Sequence, residues 1–190
     1  MSYLVQQGLF VIRFRYLNSL IVFFRKLCLA TAGMKIGRGT TISKLYITWP
    51  HQVVIGKRCI LESNIHFNYD GIWKKDPSIF IKDYVFIGFD CEFNIRKSII
   101  IGKNCKIASG CRFIDHDRGI KAGVLIGPQA GKEQAIELKE DVWLGSNVII
   151  LKGVVIGSGA VVGAGSVVTK SILPNEIWAG VPAQKKGERQ

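Results

Sequence analysis

No acidic residue occurs before Glu62. The same stretch holds Arg13, Arg15, Arg25, Lys26, Lys35, Arg38, Lys44, Lys57 and Arg58, a charge of +9 over the first 61 residues. The remaining 129 residues carry 17 basic and 14 acidic side chains, a balance of +3. Such one-sided charge points to an anionic partner, whether membrane, nucleic acid or phosphorylated ligand. Nucleic acid is the least expected, because the basic residues are interleaved with aliphatic ones and form no phosphate track. Proline is scarce (5) and glycine is not (21), which implies tight turns rather than a low-complexity chain. The five cysteines include no CxxC and no Cys/His cluster with zinc spacing, so no metal is expected. No uncharged stretch of the hydrophobic start comes near the roughly 20 residues that span a bilayer. That start is broken by Arg13 and Arg15, and no A-x-A site follows it. With an odd cysteine count, this predicts a reducing, cytoplasmic setting.

What the chain does have is a repeat of period six. Ile36 and Ile42 begin it, followed by Ile55, Leu61 and Phe67, then Ile81, Ile87 and Phe93, then Ile101, Ile107 and Phe113. The last run is Leu138, Leu144, Ile150, Ile156, Val162 and Val168. Glycine follows seven of these anchors directly. An even period puts successive anchors on one face of extended chain. A second inward position is expected four residues after each anchor. Cys59, Cys91, Cys105 and Cys111 fall there, beside Ile65, Val85, Val142, Val148, Val154, Ala160 and Ser166. These four cysteines read as small core residues, not as ligands or disulfides.

Two segments interrupt the repeat, near 68–78 and 114–137. A solenoid tolerates insertions as loops, and a long polar loop between regular repeats is expected to be functional. His116 opens the second one, flanked by Asp115, Asp117 and Arg118. An acceptor that must attack a thioester needs a base, and imidazole titrates near neutral pH. A neighbouring carboxylate would orient the ring or stabilise the imidazolium. From the pattern alone, an exposed loop histidine without a role is the favoured reading.

The hexads, GCRFIDHD, and the segment VWLGSNVIILKGVVIGSGAVVGAGSVVTKSILPNEIWAGVPAQ resemble the hexapeptide-repeat acyltransferases over roughly residues 34–184. Within that family the chain resembles galactoside and maltose acetyltransferases and colanic-acid-type polysaccharide O-acetyltransferases. The resemblance implies an all-β fold, a left-handed parallel β-helix of about six triangular coils, with the long loop inserted at the active site. It implies acetyl-CoA as co-substrate, a homotrimer with grooves shared by two subunits, and His116 as general base. Asp115 and Asp117 are its candidate carboxylates. Asn94, in EFNIR, matches an acceptor-contacting position, though a turn asparagine in left-handed conformation is the plain alternative. Asp70, Trp73 and Arg118 are further acceptor-side candidates. A three-histidine zinc site of the carbonic-anhydrase kind is disfavoured, since His51, His66 and His116 are 15 and 50 residues apart. His51 reads as structural and His66 as outward-facing.

Carried over by position, Trp143 and Ser146 would line the pantetheine arm, and Ala164 and Gly165 would let the cofactor approach the backbone. Thr169 and Lys170 would lie near the adenine and phosphate end, although Lys170 also reads as a solvated turn residue. An arginine common after the GVPA-type motif is replaced here by Gln184, which leaves Lys185 and Lys186 as phosphate partners of a less directional kind.

The chain thus divides into a basic amphipathic helical segment (1–33), the β-helix (34–184) and a basic C-terminal tail (185–190). On a helical wheel Gln7, Arg15, Asn18, Ser19, Arg25 and Lys26 share one face and the rest is broadly apolar. Two readings of residues 3–30 stand side by side: a helix in a membrane interface, making the protein peripheral on the inner face, or a lid over the open strand edges of the prism. The leading function is acetyl-CoA-dependent O-acetylation of a sugar or lipid-linked glycan in surface polysaccharide or lipopolysaccharide synthesis, without an acyl-enzyme. The first alternative is N-acetylation of a nucleotide-linked amino sugar. A non-catalytic β-helical scaffold is the competing class.

Overall fold

The computed structural model describes residues 3–190; the side chains of residues 14, 15, 16 and 18 lie outside the description, and with them Arg15 and Asn18 of the expected polar helical face. From residue 35 the chain winds through three sheets in strict rotation. The first face stacks Lys35–Ile36, Val53–Ile55, Ile79–Ile81, Ile99–Ile101, Ile136–Leu138 and Val155–Ile156. The second runs from Thr41–Ile42 to Val161–Val162, and the third from Leu45–Ile47 to Val167–Val168. Within the winding every pairing is parallel and in register: Phe113 lies between Phe93 and Ile150, and Ile101 between Ile81 and Leu138. The result is a parallel β-helix.

The hexad anchors form the core. All are buried except Ile36, which is half-buried at the first rung. The second inward set is buried throughout, including the four cysteines. Each of the four donates its S–H to a backbone carbonyl, as Cys105 does to Lys139 at 3.1 Å. Burial pushes the Cys105 thiol up to about 11, so it stays a neutral core group at physiological pH. Phe67, Phe93 and Phe113 stack along the axis with ring centroids 4.9 and 4.6 Å apart.

The three edges of the prism differ. Between the first and second faces, and between the second and third, the chain turns through a left-handed residue, such as Arg58, Tyr84, Asn104, Asp141 and Gly159, or Asn64, Asp90, Gly110, Asn147 and Gly165. Asn, Asp and Gly tolerate this conformation. At Gly102 the rungs leave no room for a side chain: a Cβ there would lie 2.2 Å from the Lys139 carbonyl oxygen. The third-to-first edge instead carries the insertions, the loops between Tyr69 and Ile79 and between Ile114 and Ile136. Every excursion of the repeat therefore emerges along one line.

Both ends differ from expectation. The N-terminal segment is not one uniform helix: α1 (Tyr3–Val11) and α2 (Asn18–Thr31) are joined by a π-helical stretch, Ile12–Leu17. Residues 185–188, expected in a free tail, belong to the strand Ala183–Glu188, which pairs antiparallel with Glu176–Gly180 on the end of the second face. The pairing gives partners to backbone groups that a tail would leave open, and the ion pairs of Lys185 with Glu176 (2.9 Å) and Glu188 (2.5 Å) fix it. Among the described residues no helix is long and apolar enough to cross a membrane.

The phenylalanine stack gives a stability test. Phe93 is fully buried between its two neighbours. Phe93→Ala is expected to destabilise the protein by about 3–5 kcal/mol, read as a lowered midpoint in chemical denaturation.

Candidate active site

The strand Arg112–Ile114 lies within the third face, and the next residue, Asp115, is fully buried. Its carboxylate is enclosed by donors. Oδ1 accepts the backbone N–H of Arg96 and Oδ2 that of Lys97, both at 2.8 Å. Oδ1 also lies 3.0 Å from Nδ1 of His116. A carboxylate only accepts hydrogen bonds, so the proton between them is assigned to Nδ1. In the neutral ring Nε2 then carries the lone pair. His116 keeps 15% side-chain exposure, enough for one edge of the ring to be reached. A buried carboxylate fixing one imidazole nitrogen while the other stays available is the arrangement a general base needs.

The loop is pinched at its base. His116 and Glu133 form an antiparallel bridge, Gln134 N–H donates to the Asp115 carbonyl, and Asp117 N–H donates to the Lys132 carbonyl. Gly131 lets these two chain segments meet, since a Cβ there would lie 1.7 Å from the Asp117 carbonyl oxygen. Asp117 serves this base rather than the ring of His116. Its carboxylate accepts the Lys132 N–H at 2.7 Å and pairs with Lys152 at 2.6 Å. The Lys152 ammonium beside it holds the Asp117 carboxyl below the usual carboxylate range. The expected role of Asp117 as a partner of His116 is corrected to that of a loop anchor.

Two of the acceptor-side candidates converge near His116. Asp70 forms an ion pair with Arg96 at 2.7 Å, and the guanidinium holds its carboxyl below the ordinary range, with smaller contributions from His116 and Arg118. Asn94 lies in the strand Glu92–Ile95 with no left-handed backbone, so the turn reading fails. Its carboxamide donates to Glu92 at 3.0 Å and its oxygen accepts from Asn68 at 3.4 Å, on the outer side of the third face. Trp73 is elsewhere on the same edge, 5.5 Å from the ring of His51. His51 in turn bonds the Lys74 carbonyl at 2.9 Å, which agrees with a structural role. His66 faces outward and stacks on Tyr46 at 4.4 Å. Arg96, Lys97 and Lys152 were not legible as site residues. The aspartate that opens the loop and its need for donors once buried were the only signal.

The residues expected along the coenzyme split into two groups. Trp143, Ser146, Ala164 and Gly165 gather along the second face and its edge with the third. Ser146 lines a shallow cleft there with Phe89, Ser109, Gly110 and Arg112, and its carbonyl accepts the Gly165 N–H at 2.8 Å. A Cβ on Gly165 would meet nothing within 4 Å, so its backbone is open to approach. Thr169 and Lys170 follow the last strand of the third face, on the same edge as His116. The two groups occupy opposite sides of the third face within one chain. Lys185 is corrected: two carboxylates already neutralise it, which raises its own affinity for a proton and leaves it no free charge for a phosphate. Lys186 is exposed. Among the described residues no group of three His, Cys, Asp or Glu side chains is placed to hold a metal ion.

Two family profiles match, the bacterial transferase hexapeptide (six repeats) over residues 135–170 and the hexapeptide repeat of succinyl-transferase over 79–111. Both describe the hexapeptide repeat that this chain carries. A 2,3,4,5-tetrahydropyridine-2,6-dicarboxylate N-acetyltransferase of Halalkalibacterium halodurans is 44% identical over 84 residues, 44% of this hexapeptide-repeat chain and 30% of that protein. Protein CapG of Staphylococcus aureus is 42% identical over 110 residues, 53% of this chain and 64% of that one. These matches thus span less than two thirds of either curated relative. Among solved structures, AntD, an N-acyltransferase of Bacillus cereus in complex with dTDP and 3-hydroxybutyryl-CoA, superposes with a TM-score of 0.76 at 25% identity, covering 87% of this chain and 88% of AntD. The acetyltransferase VCA0836 of Vibrio cholerae, complexed with acetyl-CoA, shares the fold at 21% identity and a TM-score of 0.58, over 87% and 76% of the two chains.

Two substitutions test this geometry. Asp115→Asn keeps the shape but turns an NH2 towards N–H donors. It is expected to cost about 1–3 kcal/mol in urea denaturation and to release the fixed Nδ1–H tautomer in nitrogen NMR of His116. The folded-state pKa of Asp117 is depressed, so its anchoring is complete above about pH 4, the unfolded carboxylate value, and is lost as pH falls through the folded value. At neutral pH, Lys152→Met is expected to speed limited trypsin cleavage at Lys121 with little change in melting temperature.

Proposed function

We propose that this protein is a coenzyme-A-dependent acyltransferase in which His116 is the general base. One observation carries the reading: His116 Nδ1 is fixed by buried Asp115 at the root of a long loop, on a repeat frame whose solved neighbours bind CoA. The winding is taken as left-handed with about six coils, as the family likeness implies. The division of candidate residues between two edges supports an oligomer, a homotrimer by family likeness, in which His116 of one copy meets the coenzyme residues of the next. Asn94, Asp70 and Arg118 would line the acceptor side, and Trp143, Ser146, Ala164, Gly165, Thr169, Lys170 and Lys186 the coenzyme side.

The acceptor favoured is the amine of a nucleotide-linked amino sugar. This reading displaces the sugar hydroxyl that heads the sequence-based expectation. Its support is AntD, a mutant of which has been seen with dTDP-4-amino-4,6-dideoxyglucose and coenzyme A, and the N-acetyltransferase relative. In the reaction the acceptor nitrogen attacks the thioester carbonyl carbon. A C–N bond forms and the C–S bond breaks. Nε2 of His116 takes the proton lost by nitrogen and returns it to the departing sulfur, so amide and free thiol are the products. Asp115 stabilises the transient imidazolium from the Nδ1 side. The neutral, buried thiol of Cys105 offers no nucleophile for a covalent route.

His116→Ala is expected to lower kcat by about 10²–10⁴-fold while acetyl-CoA binding in calorimetry is retained. Turnover kept at the wild-type level would overturn the assignment. A screen of amino-sugar nucleotides against hydroxyl sugars decides between N- and O-acylation.

A further inference from the structure

The N-terminal helix packs the wrong way round for a lid. A helix that only covers the end of a prism turns its apolar stripe inward and its charges to water. In α2 the half-buried residues are Val22, Arg25, Lys26 and Leu29, a stripe with helical spacing that contains both of its cations. Arg25 donates to the Ile42 carbonyl of the second face at 3.3 Å, and Leu29 packs on the core. The opposite stripe, Leu20, Ile21, Phe23, Phe24 and Leu27, is 51–62% exposed. In α1 no residue is buried. The chain thus spends its basic side chains on the prism and presents its aromatic and aliphatic ones outward.

We propose that this face seats the protein on an anionic lipid surface, with Phe23 and Phe24 inserted at the level of the headgroups. Charge decides the occupant. The first 61 residues carry nine cations and no carboxylate, and Lys35, Arg38, Lys44, Lys57 and Arg58 are exposed on the rungs beside the helix. Apolar side chains flanked by cations match a bilayer whose headgroups are negative. A second copy of the same helix would bring an identical positive rim against the first, with no acidic residue from this segment to offset it. Neither α1 nor α2 is a membrane span among the described residues, so the segment lies in the interface rather than across it.

The test is flotation of the full-length protein with phosphatidylcholine vesicles and with phosphatidylcholine vesicles containing phosphatidylglycerol, at low and high salt. The expected result is partition onto the anionic vesicles, weakened by salt. Phe23→Glu/Phe24→Glu is expected to reduce it by about tenfold or more, with circular dichroism and coenzyme binding unchanged. Lys35→Glu/Arg38→Glu, which leaves the apolar face intact, is expected to remove the preference for anionic lipid. The proposal is overturned if folded wild-type protein stays off both vesicles, or if neutral vesicles bind it as well. It is overturned equally if the phenylalanine variant dissociates an oligomer while vesicle binding is untouched, which would make the face a contact between copies.

Discussion

Rung-upon-rung hydrogen bonding governs this molecule. Backbone N–H groups reach the carbonyls of the neighbouring turns in both directions, forwards as Phe86 reaches Cys105 and Lys106 reaches Val142, and backwards as Ile99 reaches Ser78. Registered stacking forces like onto like: Ile101 between Ile81 and Leu138, Phe93 between Phe67 and Phe113. It also fixes the rungs too close for a Cβ at Gly102. Whatever does not fit the hexad has to leave the prism without breaking the ladder, and only the third-to-first edge lets it go. The loop that opens at His116 leaves the prism along that edge.

Burial of one carboxylate organises that edge. Asp115 sits just past a strand of the third face, and the two amides of Arg96 and Lys97 on the rung below supply what an enclosed charge requires. His116 is the third donor and is thereby held in one orientation. Arg96 then uses its side chain on Asp70, linking the short insertion to the long one. The chemistry proposed for His116 is therefore inherited from a folding requirement.

Much of the frame was legible because a solenoid repeats its environment: one inward position predicts the next, and even the four cysteines could be placed in the core. Legibility fell where the repeat stops. That Asp117 turns to Lys152 instead of His116 depends on how the loop closes, which no period encodes. That Lys185 is bound by Glu176 and Glu188 depends on the chain folding back antiparallel after the last turn. Hydropathy defined two faces for residues 18–31 but held no information on which one meets the prism. The distance between the two groups of coenzyme candidates is a matter of which edge each corner lies on, and that follows from the winding rather than from the local motif.

The pinched base of the long loop has a consequence for how this architecture diversifies. Because His116 and Glu133 already hold the two stems together, the stretch between them closes on itself and exerts no force on the rungs. Doubling such a stretch adds only about 0.6 kcal/mol of closure entropy. Segments of different length and composition are interchangeable at this point, as tools on one handle, while the imidazole and its aspartate stay where they are.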